Sequence, residues 1–135
     1  VVVVGATGGI GSALTRKLAP TEARLVLAAR NSSALQDLAA QLSVSKPVLT
    51  VPTDITDRAS VAALMEQTTA QFGKIDVLVN AAGAGILKPY QTVESADLEA
   101  MLDLNLKGSF YTCQAAAELM QQQKSGHICN VVGIL

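Results

Sequence analysis

Cysteine, charge of one sign and long apolar runs are all scarce in this chain, and each scarcity removes a class of protein. The two cysteines, Cys113 and Cys129, lie in apolar stretches without ligand-like spacing, which argues against a disulfide framework or a metal site. They read as buried thiols of a reducing cytoplasm, and a cytoplasmic protein is expected. Ten basic residues against 11 acidic ones leave a formal net charge of -1. Phosphate backbones and anionic membranes attract clustered Lys and Arg, so neither nucleic acid nor a lipid surface is an expected partner. Apolar runs such as Ala81 to Leu87 fall far short of the ~20 residues that span a bilayer. No charged leader with a cleavage site precedes Val1 and the chain does not open on Met. No targeting peptide is therefore visible, and the opening suggests a trimmed piece of a longer protein.

What is abundant is apolar surface. Half of the 135 residues are apolar and only 16% are charged, enough to bury a core and too much for a disordered chain. The length suits one domain, and no linker, internal repeat or low-complexity tract divides it.

Val1 to Val4 is a β-branched run ended by Gly5, the signature of a strand buried on both faces of a parallel sheet. Ile10, Leu14 and Leu18 at spacing four predict a helix packed on that strand and stopped by Pro20. Arg24 to Ala29 predicts a second strand. Asn31, Ser32 and Ser33 occupy capping positions before a helix carrying Leu35, Leu38 and Leu42. Val48 to Val51 is a third strand, followed by a turn through Asp54 and Asp57 and a helix over Arg58 to Phe72 with Gly73 at its end. A fourth strand spans Ile75 to Val79. Ser95 is expected to cap one long helix running to about Gln123, with Asn105 on its apolar stripe. Ile128 to Val132 is a fifth strand. Strands alternating with helices imply right-handed crossovers and a doubly wound parallel α/β sheet, the Rossmann fold. The pattern stops on a strand, so the carboxyl end looks cut.

The sharpest chemical signal is Gly5-Ala6-Thr7-Gly8-Gly9-Ile10-Gly11, between the first strand and the first helix. Glycines there let the backbone turn tightly against a pyrophosphate, while the helix N-terminus supplies unpaired N–H groups and partial positive charge. A dinucleotide-binding pattern also expects an acidic residue about 20 residues further on, to hold the adenosine ribose. The second strand ends instead in Ala28-Ala29-Arg30-Asn31. A guanidinium at that place suits a 2′-phosphate, which favours NADP(H) over NAD(H). The alternative is that Arg30 is a solvated charge at a strand end.

Together these segments resemble the short-chain dehydrogenase/reductase family, and the resemblance covers essentially the whole chain. Gly5, Gly9 and Gly11 fit the family's spacing, although Val4 stands where a threonine is usual. Gly5, Gly8 and Gly11 also fit the family's extended branch, and the later segments decide between the two. Asp54-Ile55 matches the adenine pocket, with the bland alternative that Asp54 only shapes a turn. Asn80-Ala81-Ala82-Gly83 resembles the Asn-Asn-Ala-Gly segment that steadies the sheet and lines the cofactor ribose, with Ala81 replacing the second asparagine. The resemblance makes Asn105 the catalytic asparagine that distorts its helix and holds a water; otherwise it is a core amide bonded to nearby backbone. It implies cofactor contacts at Gly5, Thr7, Gly8, Gly9, Ile10, Gly11, Arg30, Asn31, Asp54, Ile55, Asn80, Ala81, Ala82 and Gly83, and no metal.

Two departures stand out. The family's catalytic serine should fall seven residues after Gly126, where this chain has Gly133. Its Tyr-x-x-x-Lys pair is not formed by either tyrosine, since Glu94 follows Tyr90 and Ala115 follows Tyr111 at the required distance; the pair is expected after Leu135. The resemblance thus implies the NADP-binding part of an oxidoreductase that moves a hydride between the cofactor and a small carbonyl or alcohol, in a homo-oligomer (tetramer or dimer). A catalytically impaired NADP sensor or scaffold of the same fold is the rival. A domain for S-adenosylmethionine or another nucleotide would explain the glycine loop but leave Asn80 to Gly83 and Asn105 unexplained.

Overall fold

Val2, Val3 and Val4 are 1%, 0% and 1% exposed, as expected of side chains that alternate across a strand covered on both faces. In the computed structural model, which describes residues 1–42, 44 and 46–133, they form β1 (Val2–Val4). There follow α1 (Gly9–Leu18), β2 (Val26–Ala29), α2 (Ser32–Ala40), β3 (Leu49–Pro52), α3 (Arg58–Phe72) and β4 (Val77–Asn80). A 3-10 turn (Tyr90–Thr92) leads to α4 (Ser95–Met101), a π-helical turn (Leu102–Gly108), α5 (Ser109–Gln123) and β5 (His127–Asn130). The five strands pair in parallel in the order β3-β2-β1-β4-β5. This is the doubly wound α/β architecture expected from the alternation.

Two cores flank the sheet. Val2, Val4, Val26, Ala28 and Val51 face Leu64 and Met65 of α3 and Ala116 and Met120 of α5. Val3 and Leu27 face the other way, toward Leu35 and Leu38 of α2. Helix ends follow local chemistry: Asn31 Oδ1 accepts from Ala34 N at 3.0 Å, Asp57 Oδ1 accepts from Ala59 N at 2.9 Å, and Gly73 closes α3 at φ 77°.

The differences from the sequence pattern are instructive. Ile10 is 60% exposed; α1 buries Gly11 and Thr15 instead, while Leu14 and Leu18 are only partly covered. A glycine on the inner face lets the helix lie so close to β1 that the line of contact runs through small residues, not through the leucine stripe. Leu42 lies past the end of α2 but still packs on that core. Glu94, not Ser95, is the cap residue of α4, in a reciprocal capping box with Asp97. The expected single long helix is broken by the π-helical turn. β5 begins one residue earlier than expected and is exposed along its length, because it is the sheet's edge, where α5 packs against it. Cys129 is therefore exposed and Cys113 half-buried, both as free thiols; neither is the buried thiol expected. No helix among the described residues is long and apolar enough to cross a membrane.

Candidate functional site

The carboxyl ends of β1 to β4 converge on one edge of the sheet. After β1 the chain winds outward through β2 and β3, then returns to place β4 on β1's other side. Loops from neighbouring strands part at such a switch point and leave a crevice there. A cavity of about 260 Å³ occupies it, lined by the β1–α1 loop, the end of β2, Thr53, Ile55, residues 81–84 and Leu104.

The β1–α1 loop is shaped by close backbone approach. Gly5 and Ala6 both donate their N–H to Ala28 O, at 2.8 and 3.1 Å, and Gly8 N donates to Gly5 O at 3.0 Å. Gly5 sits at φ 76°, and a Cβ there would lie 2.5 Å from Ala82 N, so only glycine fits between β1 and the loop after β4. A Cβ on Gly11 would land on Gly5 O. Gly9 has no such neighbour, with open space where its side chain would be. Gly8 caps α1 without a side chain, leaving the helix's first N–H groups and their partial positive charge turned toward the crevice.

Gly5, Thr7, Gly8, Arg30, Asn31, Ile55, Ala81, Ala82 and Gly83 all line this cavity. Gly9, Ile10 and Gly11 stand at the start of α1 beside it, and Asp54 and Asn80 are adjacent in sequence to lining residues. Arg30 is exposed and, among the described residues, forms no ion pair. Asn31 is committed to capping α2. Asp54 Oδ1 accepts from Thr56 Oγ1 at 2.7 Å and from Thr56 N at 2.9 Å. Those bonds, with the Arg30 charge nearby, hold its carboxyl below its ordinary pKa, so it is ionised at neutral pH. The turn-shaping role of Asp54 is thus present, and its Oδ2 makes no hydrogen bond among the described residues.

Asn80 is 4% exposed and ties three elements. Its Nδ2 donates to Asn130 Oδ1 at 2.7 Å, and its Oδ1 accepts from Thr112 Oγ1 at 2.8 Å. Asn80→Ala removes these bonds and a longer one from Nδ2 to Cys113 Sγ at 3.3 Å, and is expected to lower stability by about 1–3 kcal/mol, read from the denaturation midpoint; a loss under ~0.5 kcal/mol would show that the Asn80 side chain does not hold β5 and α5 in place.

Asn105 is exposed, which corrects its expected place on the buried stripe. The π-helical turn carries the side chain to the loop after β4, where Nδ2 donates to Ala84 O at 2.8 Å and Oδ1 accepts from Ala84 N at 3.0 Å. A side-chain amide, with a donor and an acceptor group, suits the N–H and C=O of a single residue, and a Cβ on Gly83 would stand 3.0 Å from Oδ1. Such wider turns often occur at functional sites. The loop so clipped separates the first cavity from a second of about 620 Å³, lined by Asn80, Asn105, Ser109, Asn130 and Gly133. Lys107 is a surface charge paired with Asp103, and His127 is exposed at the far end of β5.

Sequence reasoning passed over Thr112, Asn130, Thr53 and Ala84. A signal existed for Thr112: Asn105, Gly108, Thr112 and Ala116 recur at helical spacing, so a polar residue on that inner face had to find a partner.

The short chain dehydrogenase family model matches residues 1–134. The chain belongs to this family. An uncharacterized oxidoreductase of Staphylococcus aureus is 39% identical over 133 residues, 98% of this chain and 57% of that protein. Another from Staphylococcus saprophyticus is 37% identical, over 98% of this chain and 58% of its own length. The chain therefore spans a little over half the length of these relatives. Among solved structures, a serine dehydrogenase from Escherichia coli matches with TM-score 0.87 and 30% identity, over 96% of this chain and 59% of its own. An alcohol dehydrogenase from Thermococcus sibiricus, complexed with 5-hydroxy-NADP, matches with TM-score 0.85 and 28% identity, over 94% and 55% of the two chains. At Gly133, where the family resemblance leads one to expect a serine, open space lies where a Cβ would stand.

Proposed function

We propose that residues 1–135 are the nucleotide-binding domain of an NADP(H)-dependent oxidoreductase acting on a small carbonyl or alcohol. One observation carries the reading: an uncapped helix N-terminus is pinned to the switch point by backbone contacts that admit no side chain at Gly5 or Gly11, with the Arg30 guanidinium on the same cavity. Such a cradle suits a diphosphate, and the first N–H groups of α1 would hold it. Arg30 would take the 2′-phosphate, with Asn31 beside it. Asp54 Oδ2 and Ile55 would receive the adenine, and Ala81 to Gly83 the ribose. NADP(H), when bound, supplies or accepts the hydride exchanged with the substrate carbon. Asn105 keeps Ala84 fixed at the boundary of the two cavities, so that cofactor and substrate would meet at a set distance. The Thermococcus relative's NADP analogue supports the choice of the phosphorylated cofactor.

A second reading rests on Gly133: the protein binds NADP(H) as a sensor or scaffold and turns over no substrate. Calorimetric titration of the full-length protein with NADPH and NADH, followed by NADPH oxidation against a panel of aldehydes and ketones, separates the two. Binding with turnover supports the oxidoreductase, binding without turnover the sensor, and no heat with either nucleotide defeats both. Leu98, Leu102, Leu106 and Phe110, at spacing four and 51%, 43%, 64% and 55% exposed, support a homo-oligomer (tetramer or dimer) formed through this helical face, which sedimentation of the same sample measures. A cytoplasmic location agrees with the two free thiols.

A further inference from the structure

The π-helical turn touches the first cavity as well as the second. Leu104 lines the first cavity, and Gly108, at the turn's end, is buried against Ile55. A Cβ on Gly108 would stand 2.7 Å from both Cγ1 and Cδ1 of Ile55, inside the ~3.5–4.0 Å at which carbon atoms attract. Ile55 is 5% exposed and forms part of the wall of the cavity that Arg30 and Asn31 also line. Its backbone has little freedom, because Asp54 N donates to Ser60 Oγ at 2.9 Å and Asp54 Oδ1 anchors Thr56. The side chain therefore packs over Gly108, and an atom added there must displace this part of the cavity wall.

We propose that Gly108 is a positioning residue for the nucleotide's adenine: its missing side chain is the space that lets Ile55 lie flat as the wall of the adenine subsite. The inference rests on the reading that this cavity takes NADP(H). It makes one short element serve both ends of the site, with Asn105 setting the loop at Ala84 and Gly108 setting the wall at Ile55.

The test is a cycle of Gly108→Ala and Ile55→Ala in the full chain, with NADPH affinity from calorimetry and melting temperature without ligand. Gly108→Ala is expected to weaken NADPH about tenfold. Adenosine 2′,5′-bisphosphate should weaken by a similar factor, while nicotinamide mononucleotide, measured by competition, should not change. Because Ile55→Ala removes both obstructing carbons, adding Gly108→Ala to it should alter affinity by less than about twofold. Equal losses in the two backgrounds, or a loss confined to the nicotinamide fragment, overturn the proposal. So does a lowered melting temperature with unchanged affinity, which a merely structural glycine would give. If Gly108→Ala does not fold, folding of the double variant supports the assignment to Ile55 and its failure overturns it. A wild type that binds no NADPH defeats the cofactor reading itself, whereas a wild type that binds and a Gly108→Ala variant that binds equally well defeat this inference alone.

Discussion

Replacing Gly11 with valine is expected to weaken NADPH binding by about 100-fold or more and to lower the melting temperature. The first Cβ alone would land on Gly5 O, 2.8 Å from Gly5 C and 2.9 Å from Ala6 Cα. All three are backbone atoms of the β1–α1 loop, held by the bonds of Gly5 N and Ala6 N to Ala28 O, so they cannot rotate aside as a side chain would. The helix must retreat from the strand. Overpacking of this kind costs about 1–3 kcal/mol or more, and about 2.8 kcal/mol of lost binding free energy is a 100-fold loss of affinity. Gly9→Ala is the internal control. Nothing lies within 4 Å of a Cβ there, so the fold should be unharmed, or stabilised by about 0.4–1 kcal/mol through the lower conformational entropy of the unfolded chain. Any affinity lost by Gly9→Ala then reports the ligand's approach to the backbone at that residue. Thermal melts with calorimetric titration read both variants, and wild-type affinity in Gly11→Val would remove the glycine cradle as the diphosphate site.

The contrast between Gly9 and Gly11 also marks the limit of what the sequence discloses. Both glycines stand in one motif, and nothing in the string of letters says that one faces a carbonyl and the other open space; the difference comes from how close α1 lies to β1. The same closeness turned the Ile10–Leu14–Leu18 stripe into a misleading guide to the buried face. By contrast, Val2 to Val4, Val26 to Ala29 and the cap at Asn31 were legible because their causes are local: branched side chains covered on both faces, and a side-chain oxygen within reach of the next turn. The widened turn at Leu102–Gly108 was not legible, since its partners, Ala84 and Ile55, lie 21 and 53 residues away in the chain. A helical period measured over four residues does not reveal one extra residue in the turn. Asn80 illustrates the intermediate case. Its place at the end of β4 was plain, but its bonds to Thr112 and Asn130 required knowing that α5 and β5 pack around it.

Replacing Arg30 with aspartate is expected to shift the ratio of NADPH to NADH affinity by about 100-fold toward NADH. Arg30 follows β2, is exposed, and lines the cavity beside Asn31. With no ion pair to satisfy it among the described residues, its guanidinium is free to receive a phosphate through two parallel N–H donors. Charge-assisted hydrogen bonds are worth about 1.5–3 kcal/mol, so losing them accounts for a 10- to 100-fold fall in NADPH affinity. An aspartate adds repulsion against a 2′-phosphate and an acceptor for a 2′-hydroxyl, which moves the ratio further toward NADH. Arg30→Lys keeps the charge but not the fork and should fall between wild type and Arg30→Ala. Exposure makes the preference salt-sensitive: at ~0.15 M ionic strength charges are screened over about 8 Å, so wild-type preference for NADPH should narrow as salt rises, while that of Arg30→Ala should stay flat. Competition titrations at low and high salt measure all four proteins. A ratio unchanged in Arg30→Asp would make Arg30 the solvated strand-end charge that is its alternative reading, and the basis for choosing NADP(H) over NAD(H) would go with it.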